Sequence, residues 1–252
     1  MQDIFAEDIG SGPPLVLVHG FLGSSDMWSP QVDFFKNDFR VIAPALPGFG
    51  KSNNLNSCDS IECMARAILD LLETKEIKNY NLLGHSMGGM IVQEIAKIAG
   101  DKILKLICYG TGPIGNIPGR FETIDQSREK LKINGLKFTA HRIAKTWFVE
   151  EDKSKYFYLC DEAGKQASVE AADNGLVAMK NWNGVENLKN IKNETLIIWG
   201  DQDKAYNFYQ VETLSNKISN SDLKIIKGCS HNVHLEKPEK FNIILKNFLK
   251  KK

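Results

Sequence analysis

The sequence predicts an α/β protein: a mostly parallel central sheet flanked by helices, with a helical segment inserted between two strands. Three observations carry this. Short, continuous apolar runs such as residues 15–18 (LVLV) and 196–199 (LIIW) suit strands buried on both faces. They alternate with stretches whose apolar residues recur every three or four positions, the spacing of one helix face. Between residues 111 and 187 the alternation stops, and helix-like segments follow one another with no clear strand. A chain of 252 residues, 42% apolar and 25% charged, is long enough to bury one large core of this kind.

The elements follow in order. After the strand at 15–18 comes a second at 40–43 (RVIA). Ile61, Met64, Ala65, Ile68, Leu71 and Leu72 then mark a helix, with Asp59 or Ser60 as its N-cap. Residues 80–83 read as a strand. Residues 90–98 read as a helix with Ile91, Ile95 and Ile98 on one face, and 103–109 as a strand. Glycine and proline punctuate TGPIGNIPG, and helices are expected at 135–148 and 168–182. The alternation resumes with a strand at 196–199, a helix at 209–218, a strand at 223–226 and a helix at 238–249 with Pro238 in its first turn. Residues 1–110 and 188–252 therefore form the expected core, and residues 111–187 a helical cap over one edge of the sheet.

Composition narrows the function. A net charge of +1 gives no strong pull toward nucleic acid or an anionic membrane. The terminal lysines 250–252 read as a frayed, solvated end. The segment MQDIFAEDIGSGPP is acidic and lacks the apolar stretch of a signal peptide. No apolar run approaches the ~18 residues of a membrane span. The cysteines, at 58, 63, 108, 160 and 229, show no CxxC pair and no metal-ligand spacing with histidine. They are expected to be reduced and mostly buried, in a cytoplasmic protein without a bound metal.

The sharpest chemical signal is LLGHSMGG, where Gly84, Ser86 and Gly88 form G-x-S-x-G. A strand leads into it and a helix leads out. A serine there sits on a tight, strained turn and projects from the C-terminal edge of the sheet. Such a serine needs a base. His85 lies inside the turn and is expected to point away, His19 sits in an early loop and His141 on an inserted helix. His231 and His234 remain, after the last strand in KGCSHNVHLEKPEKF. His231 comes first after the strand and is favoured as base. A base needs an orienting carboxylate. WGDQDK offers Asp201 and Asp203 past a strand end; Asp203, further out, is favoured, and Asp201 suits a turn cap. Two backbone N–H donors are needed for an oxyanion. Met87, next after the serine, is one, and Phe21 in HGFLGSSDMW is the other.

The set HGF, GHSMGG, WGDQD and SHNVHLEKPEKF, in this order, resembles the α/β-hydrolase superfamily across essentially the whole chain. The resemblance implies a catalytic triad of Ser86, Asp203 and His231 with oxyanion donors at Phe21 and Met87. It implies no metal and no organic cofactor. The segment GLKFTAHRIAKTWF looks like part of the cap of 3-oxoadipate enol-lactonase-type enzymes; the core motifs are equally similar to small carboxylesterases and to meta-cleavage-product C–C hydrolases. The expected substrate is a small carboxylic ester or lactone. C–C or amide hydrolysis on the same triad, or a non-catalytic ligand-binding protein, are the alternatives. Trp147, Phe148 and His234 are candidate substrate-binding residues, although aromatics at helical spacing also pack cores. Arg142 either meets a substrate carboxylate or faces solvent. The chain is expected to be a monomer or homodimer, without nucleic-acid, nucleotide or membrane partners. The loop ALPGFGKS ends like a phosphate loop, but NNLNSCDS follows where such a loop would run straight into a helix. After Asp203 the sequence KAYNF departs from the proline common in relatives, which bears on the pocket edge.

Overall fold

The computed structural model describes residues 3–251. Met1, Gln2 and Lys252 lie outside it, and with them the outermost parts of the N-terminal and tail readings. In chain order the elements are β1 (Ala6–Ile9), β2 (Pro14–Val18), α1 (Ser29–Phe35), β3 (Arg40–Pro44), α2 (Ile61–Thr74), β4 (Tyr80–His85), α3 (Met87–Ala99) and β5 (Ile103–Tyr109). Then come α4 (Ile124–Lys145), α5 (Phe157–Gln166), α6 (Val169–Asn181), β6 (Glu194–Gly200), α7 (Phe208–Lys217), β7 (Ser221–Ile226), α8 (Val233–Glu236) and α9 (Pro238–Lys250).

The strands form one sheet in the order β1-β3-β2-β4-β5-β6-β7. Only β1 runs antiparallel, against β3. The other neighbours are parallel. Helices cover both faces, which explains the unbroken apolar runs. Along β2, Val16 and Val18 enter the core on one side of the sheet, while Leu15 and Leu17 enter the core on the other. In β4 the neighbours Leu82 and Leu83 divide in the same way. Each such side chain contributes about 1.5–3 kcal/mol on burial. The strand order reverses at β2 and β4. In open parallel sheets the crevice at the C-terminal strand ends beside such a reversal is where ligands bind.

Local signals set most elements. Ser60 caps α2, its Oγ accepting from Cys63 N at 3.3 Å. The apolar positions named for α2 are its buried face. The chain adds what weak patterns hid. β1 is a half-polar edge strand with no apolar run, held partly by Arg40 pairing with Asp8 at 2.8 Å. Gly135, with φ 74°, kinks α4, so helix extends on both sides of the predicted start. α5 and α1 are additional. Ile98, in the last turn of α3, does not join the buried face and is 39% exposed.

Two expectations are corrected. Cys58 and Cys63 form a disulfide, with Cα atoms 5.7 Å apart. The loop before α2 turns back onto the helix's first turn and places them within bridging range. Cys108, Cys160 and Cys229 are free and buried. Reduced thiols throughout therefore no longer support a cytoplasmic assignment. In the tail, Lys250 pairs with Asp38 at 3.1 Å and Lys251 with Glu194 at 3.2 Å, so neither is a frayed end. Among the described residues no helix is long and apolar enough to cross a membrane. In ALPGFGKS, Lys51 turns outward to Asp26 at 3.3 Å, and α2 starts only at Ile61.

Candidate active site

Ser86 sits between β4 and α3 with φ 57° and ψ −119°. This is a strained conformation for a residue with a Cβ, costing about 1–3 kcal/mol. The surroundings hold it there. Ser86 N donates to Tyr109 O at 2.9 Å, and Thr111 Oγ1 donates to Ser86 O at 2.8 Å. The turn requires its glycines: a Cβ on Gly84 would collide with the backbone of Gly88, and one on Gly88 with the end of β2. The helix starts immediately after the serine, three residues earlier than the apolar pattern indicates, so Met87 N lies in its first turn.

His231 follows β7 and reaches the same place. Its Nδ1 lies 2.8 Å from Asp203 Oδ2, and both side chains are essentially buried. Asp203 is fixed in turn: Oδ1 accepts from Ala205 N at 2.7 Å and Tyr206 N at 3.1 Å. Asp201 instead accepts from Gly228 N at 2.7 Å, closing the turn beside it. The His231 carbonyl accepts from Tyr109 Oη at 3.0 Å and faces His85 Nε2 at 3.2 Å. His85 thus points behind the site, away from the serine side chain.

The early loop approaches Ser86 closely; a Cβ on Gly20 would lie 2.8 Å from Ser86 Cβ. His19 holds this loop. Its Nε2 accepts from Leu46 N at 3.0 Å, which leaves Nδ1–H to donate to Gly20 O at 2.8 Å. Phe21, next in the loop, lines a cavity of about 20 Å³ together with Ser86, His231, Trp147, Tyr206 and Arg120. A space of that size is close to that of a single water molecule. A cavity of about 670 Å³ beside Tyr156, Gly228 and Lys240 includes none of these residues.

Of the candidate substrate-binding residues, only Trp147 lines the site, its ring 6.1 Å from that of His231. Phe148 and His234 are corrected. Phe148 is fully buried and packs on Phe157. His234 lies behind His231, its Nδ1 3.0 Å from Tyr109 Oη and its ring against Trp28. Successive residues leave a helix end on different sides, so one of each adjacent or near-adjacent pair turns to the core. Arg142 neither lines the cavity nor stands free in solvent: it grips both carboxylate oxygens of Glu122, at 3.0 and 2.8 Å. Tyr206 and Arg120 were not anticipated. Tyr206 stacks on His231 at 5.7 Å and 14°, and burial pushes its phenol up to about 12 while its hydroxyl interacts with Ser86. The unusual KAYNF segment was its only trace in the sequence.

Three histidines around this site are buried and neutral. Burial pushes His19 down to about 4 and His234 to about 3, from 6.5. Burial, then repulsion from His231 and His234, puts His85 well below 6.5. An unfolded chain takes up these protons near pH ~6.5. Between the unfolded and folded pKa values the unfolded state binds more protons, so stability rises with pH there. His19 and His234 each contribute about 2 kcal/mol that is present above pH ~6.5 and lost by about pH 5, where carboxylates have hardly begun to titrate. Thermal unfolding is expected to show a Tm lower at pH ~5 than at pH ~7 by on the order of 10 °C. A Tm independent of pH across that range would mean the folded state holds these protons as readily as the unfolded chain.

Comparison with known proteins places the fold. Residues 13–238 match a family profile described as alpha/beta hydrolase fold. An esterase from Exiguobacterium antarcticum superposes with a TM-score of 0.92 at 25% identity, covering 98% of this chain and 96% of the esterase. A bromoperoxidase from Bacillus anthracis gives 0.91 at 28% identity, covering 98% and 95%. The enol-lactonase from Burkholderia xenovorans LB400 gives 0.90 at 22% identity, covering 98% and 96%, which speaks to fold alone. With the profile spanning most of the chain and the strained serine turn at the end of its central strand, the protein belongs to the alpha/beta hydrolase fold family.

Proposed function

We propose that this alpha/beta hydrolase cleaves a small carboxylic ester or lactone through an acyl-enzyme on Ser86. The observation that carries the reading is the buried 2.8 Å contact of His231 Nδ1 with Asp203, on a histidine that lines one small cavity with Ser86. With Nδ1–H donated to the carboxylate, Nε2 is left to accept the Ser86 proton. Ser86 Oγ attacks the substrate carbonyl carbon, and the carbonyl oxygen takes the negative charge. Phe21 and Met87 N–H groups stabilise it, each worth about 3 kcal/mol. His231 returns the proton to the leaving alcohol oxygen, then deprotonates water for deacylation. The esterase relative at 25% identity supports the ester as the bond cleaved.

The test is rapid mixing with p-nitrophenyl acetate, followed by intact-mass analysis. A burst of nitrophenol near one equivalent and a mass gain of one acetyl group on Ser86 are expected. Steady turnover with no burst and no adduct at any time, together with full activity after treatment with a serine-directed fluorophosphonate, would sink the reading.

A further inference from the structure

We propose that Arg120 binds a free carboxylate carried by the substrate, so that the ester or lactone cleaved at Ser86 is an anionic one; this rests on the serine hydrolase reading above. Arg120 stands in the segment between β5 and α4. It lines the cavity that holds Ser86 and His231, and also an adjoining cavity of about 230 Å³ bounded by residues 116–120 and 122–124. It therefore sits where the reacting centre meets the outer space.

Among the described residues Arg120 forms no ion pair, although the Glu122 carboxylate favours its charge from a distance. A guanidinium stays protonated in proteins, and a charge withdrawn from water requires a partner. Burial disfavours the charged form of Arg120, which marks that withdrawal. The nearby carboxylate is Glu122, and it is already taken. Arg142 holds both its oxygens, Lys130 lies at 2.7 Å, and the Ser127 hydroxyl donates at 2.5 Å. Arg120 reaches only the Glu122 carbonyl at 3.0 Å and Ser127 Oγ at 3.2 Å, both through Nη1. Among the described residues it pairs with no carboxylate. Arg120, Arg142 and Lys130 thus bring three positive charges to one negative one. The remaining nitrogens of a planar fork suit the two oxygens of a carboxylate. Arg142, the arginine the sequence pointed to, is excluded from this role because its fork is already filled.

A structural role makes a different prediction. The Arg120 guanidinium also lies over the Phe121 ring at 4.7 Å, and its Nη1 bonds tie the segment down. If that were its purpose, substitution would lower stability and all activity together.

The experiment compares mono-p-nitrophenyl glutarate with neutral p-nitrophenyl valerate on the wild type, Arg120→Gln and Arg120→Lys, reading the ratio of kcat/KM. The wild type is expected to prefer the glutarate ester by about tenfold or more, and Arg120→Gln to reduce that ratio by about 10- to 100-fold, the worth of a charge-assisted pair. Arg120→Lys should retain part of the preference. A ratio unmoved by Arg120→Gln, or loss of both activities in parallel with Tm, overturns the proposal. Glutarate binding to Ser86→Ala by calorimetry separates the two readings. Binding lost on adding Arg120→Gln supports the anion site even if no ester is turned over, in which case only the hydrolase reading fails. Absence of glutarate binding together with no preference among esters ends the proposal and leaves the hydrolase reading standing.

Discussion

Ser86→Ala is expected to lower kcat on any ester the wild type turns over by about 10⁴- to 10⁶-fold, with Tm changed by only a few degrees. The two halves of this result have separate causes. In the proposed mechanism Ser86 Oγ is the atom that bonds to the acyl group, so removing it removes the chemistry, and the nearby Thr111 hydroxyl is engaged in donating to Ser86 O. The Tyr206 hydroxyl faces the same space, but burial holds its phenol near 12, so it is a poor nucleophile at neutral pH. Stability is kept because alanine also has a Cβ and so inherits the same strained backbone at φ 57°. Ser86→Gly removes that strain and is expected to lose the same activity while gaining about 1 kcal/mol. Steady-state kinetics and thermal unfolding on the three proteins check this. An alanine variant within about tenfold of wild type would remove Ser86 from the chemistry.

Asp203→Asn is expected to cost about 10⁴-fold in kcat, while Asp201→Asn changes it by no more than about twofold. Both substitutions conserve shape, so the difference lies in protons. In the Asp203→Asn variant the side-chain carbonyl would stay toward Ala205 N and Tyr206 N, where Asp203 Oδ1 accepts two bonds. The new amide NH₂ would then face His231 Nδ1 and donate to it. That moves the imidazole proton to Nε2, the nitrogen that accepts from Ser86 in the proposed mechanism. At Asp201 the group accepted from is Gly228 N, which an amide oxygen serves as well. pH–rate profiles of both variants distinguish the cases: the Asp203 variant should regain rate at high pH, where Ser86 needs less help. Equal losses in the two variants would show that the loop's shape, not the tautomer, is what Asp203 maintains.

Much of this architecture is legible because it is local. An unbroken apolar run has to be a strand covered on both faces, and β2 and β4 divide their side chains between two cores accordingly. Ser60 before a periodic apolar stretch caps a helix whatever the rest of the chain does. The turn at Ser86 is legible for the same reason: glycines at 84 and 88 are needed by atoms a few residues away and by one neighbouring strand end. Proximity of Asp203 and His231 follows from topology, since strand ends of a parallel sheet gather at one edge.

The sequence by itself therefore determined the α/β architecture, the serine turn and the strand-end positions from which chemistry is reached. Tertiary structure alone decided which side chains of the inserted segment face that edge. Trp147 turns to the cavity and Phe148 to the core; Arg142 is spent on Glu122 and Arg120 is not. It alone brought Tyr206 over His231, placed His234 behind it and joined Cys58 to Cys63. The physical reason is one of range. Backbone preference and apolar spacing act over a few residues, whereas the direction of a side chain near a helix end is set by whatever packs against it. Here the partners are many residues away: Glu122 precedes α4, and Arg142, which holds it, lies near the helix's end. No pattern within a short window carries that information.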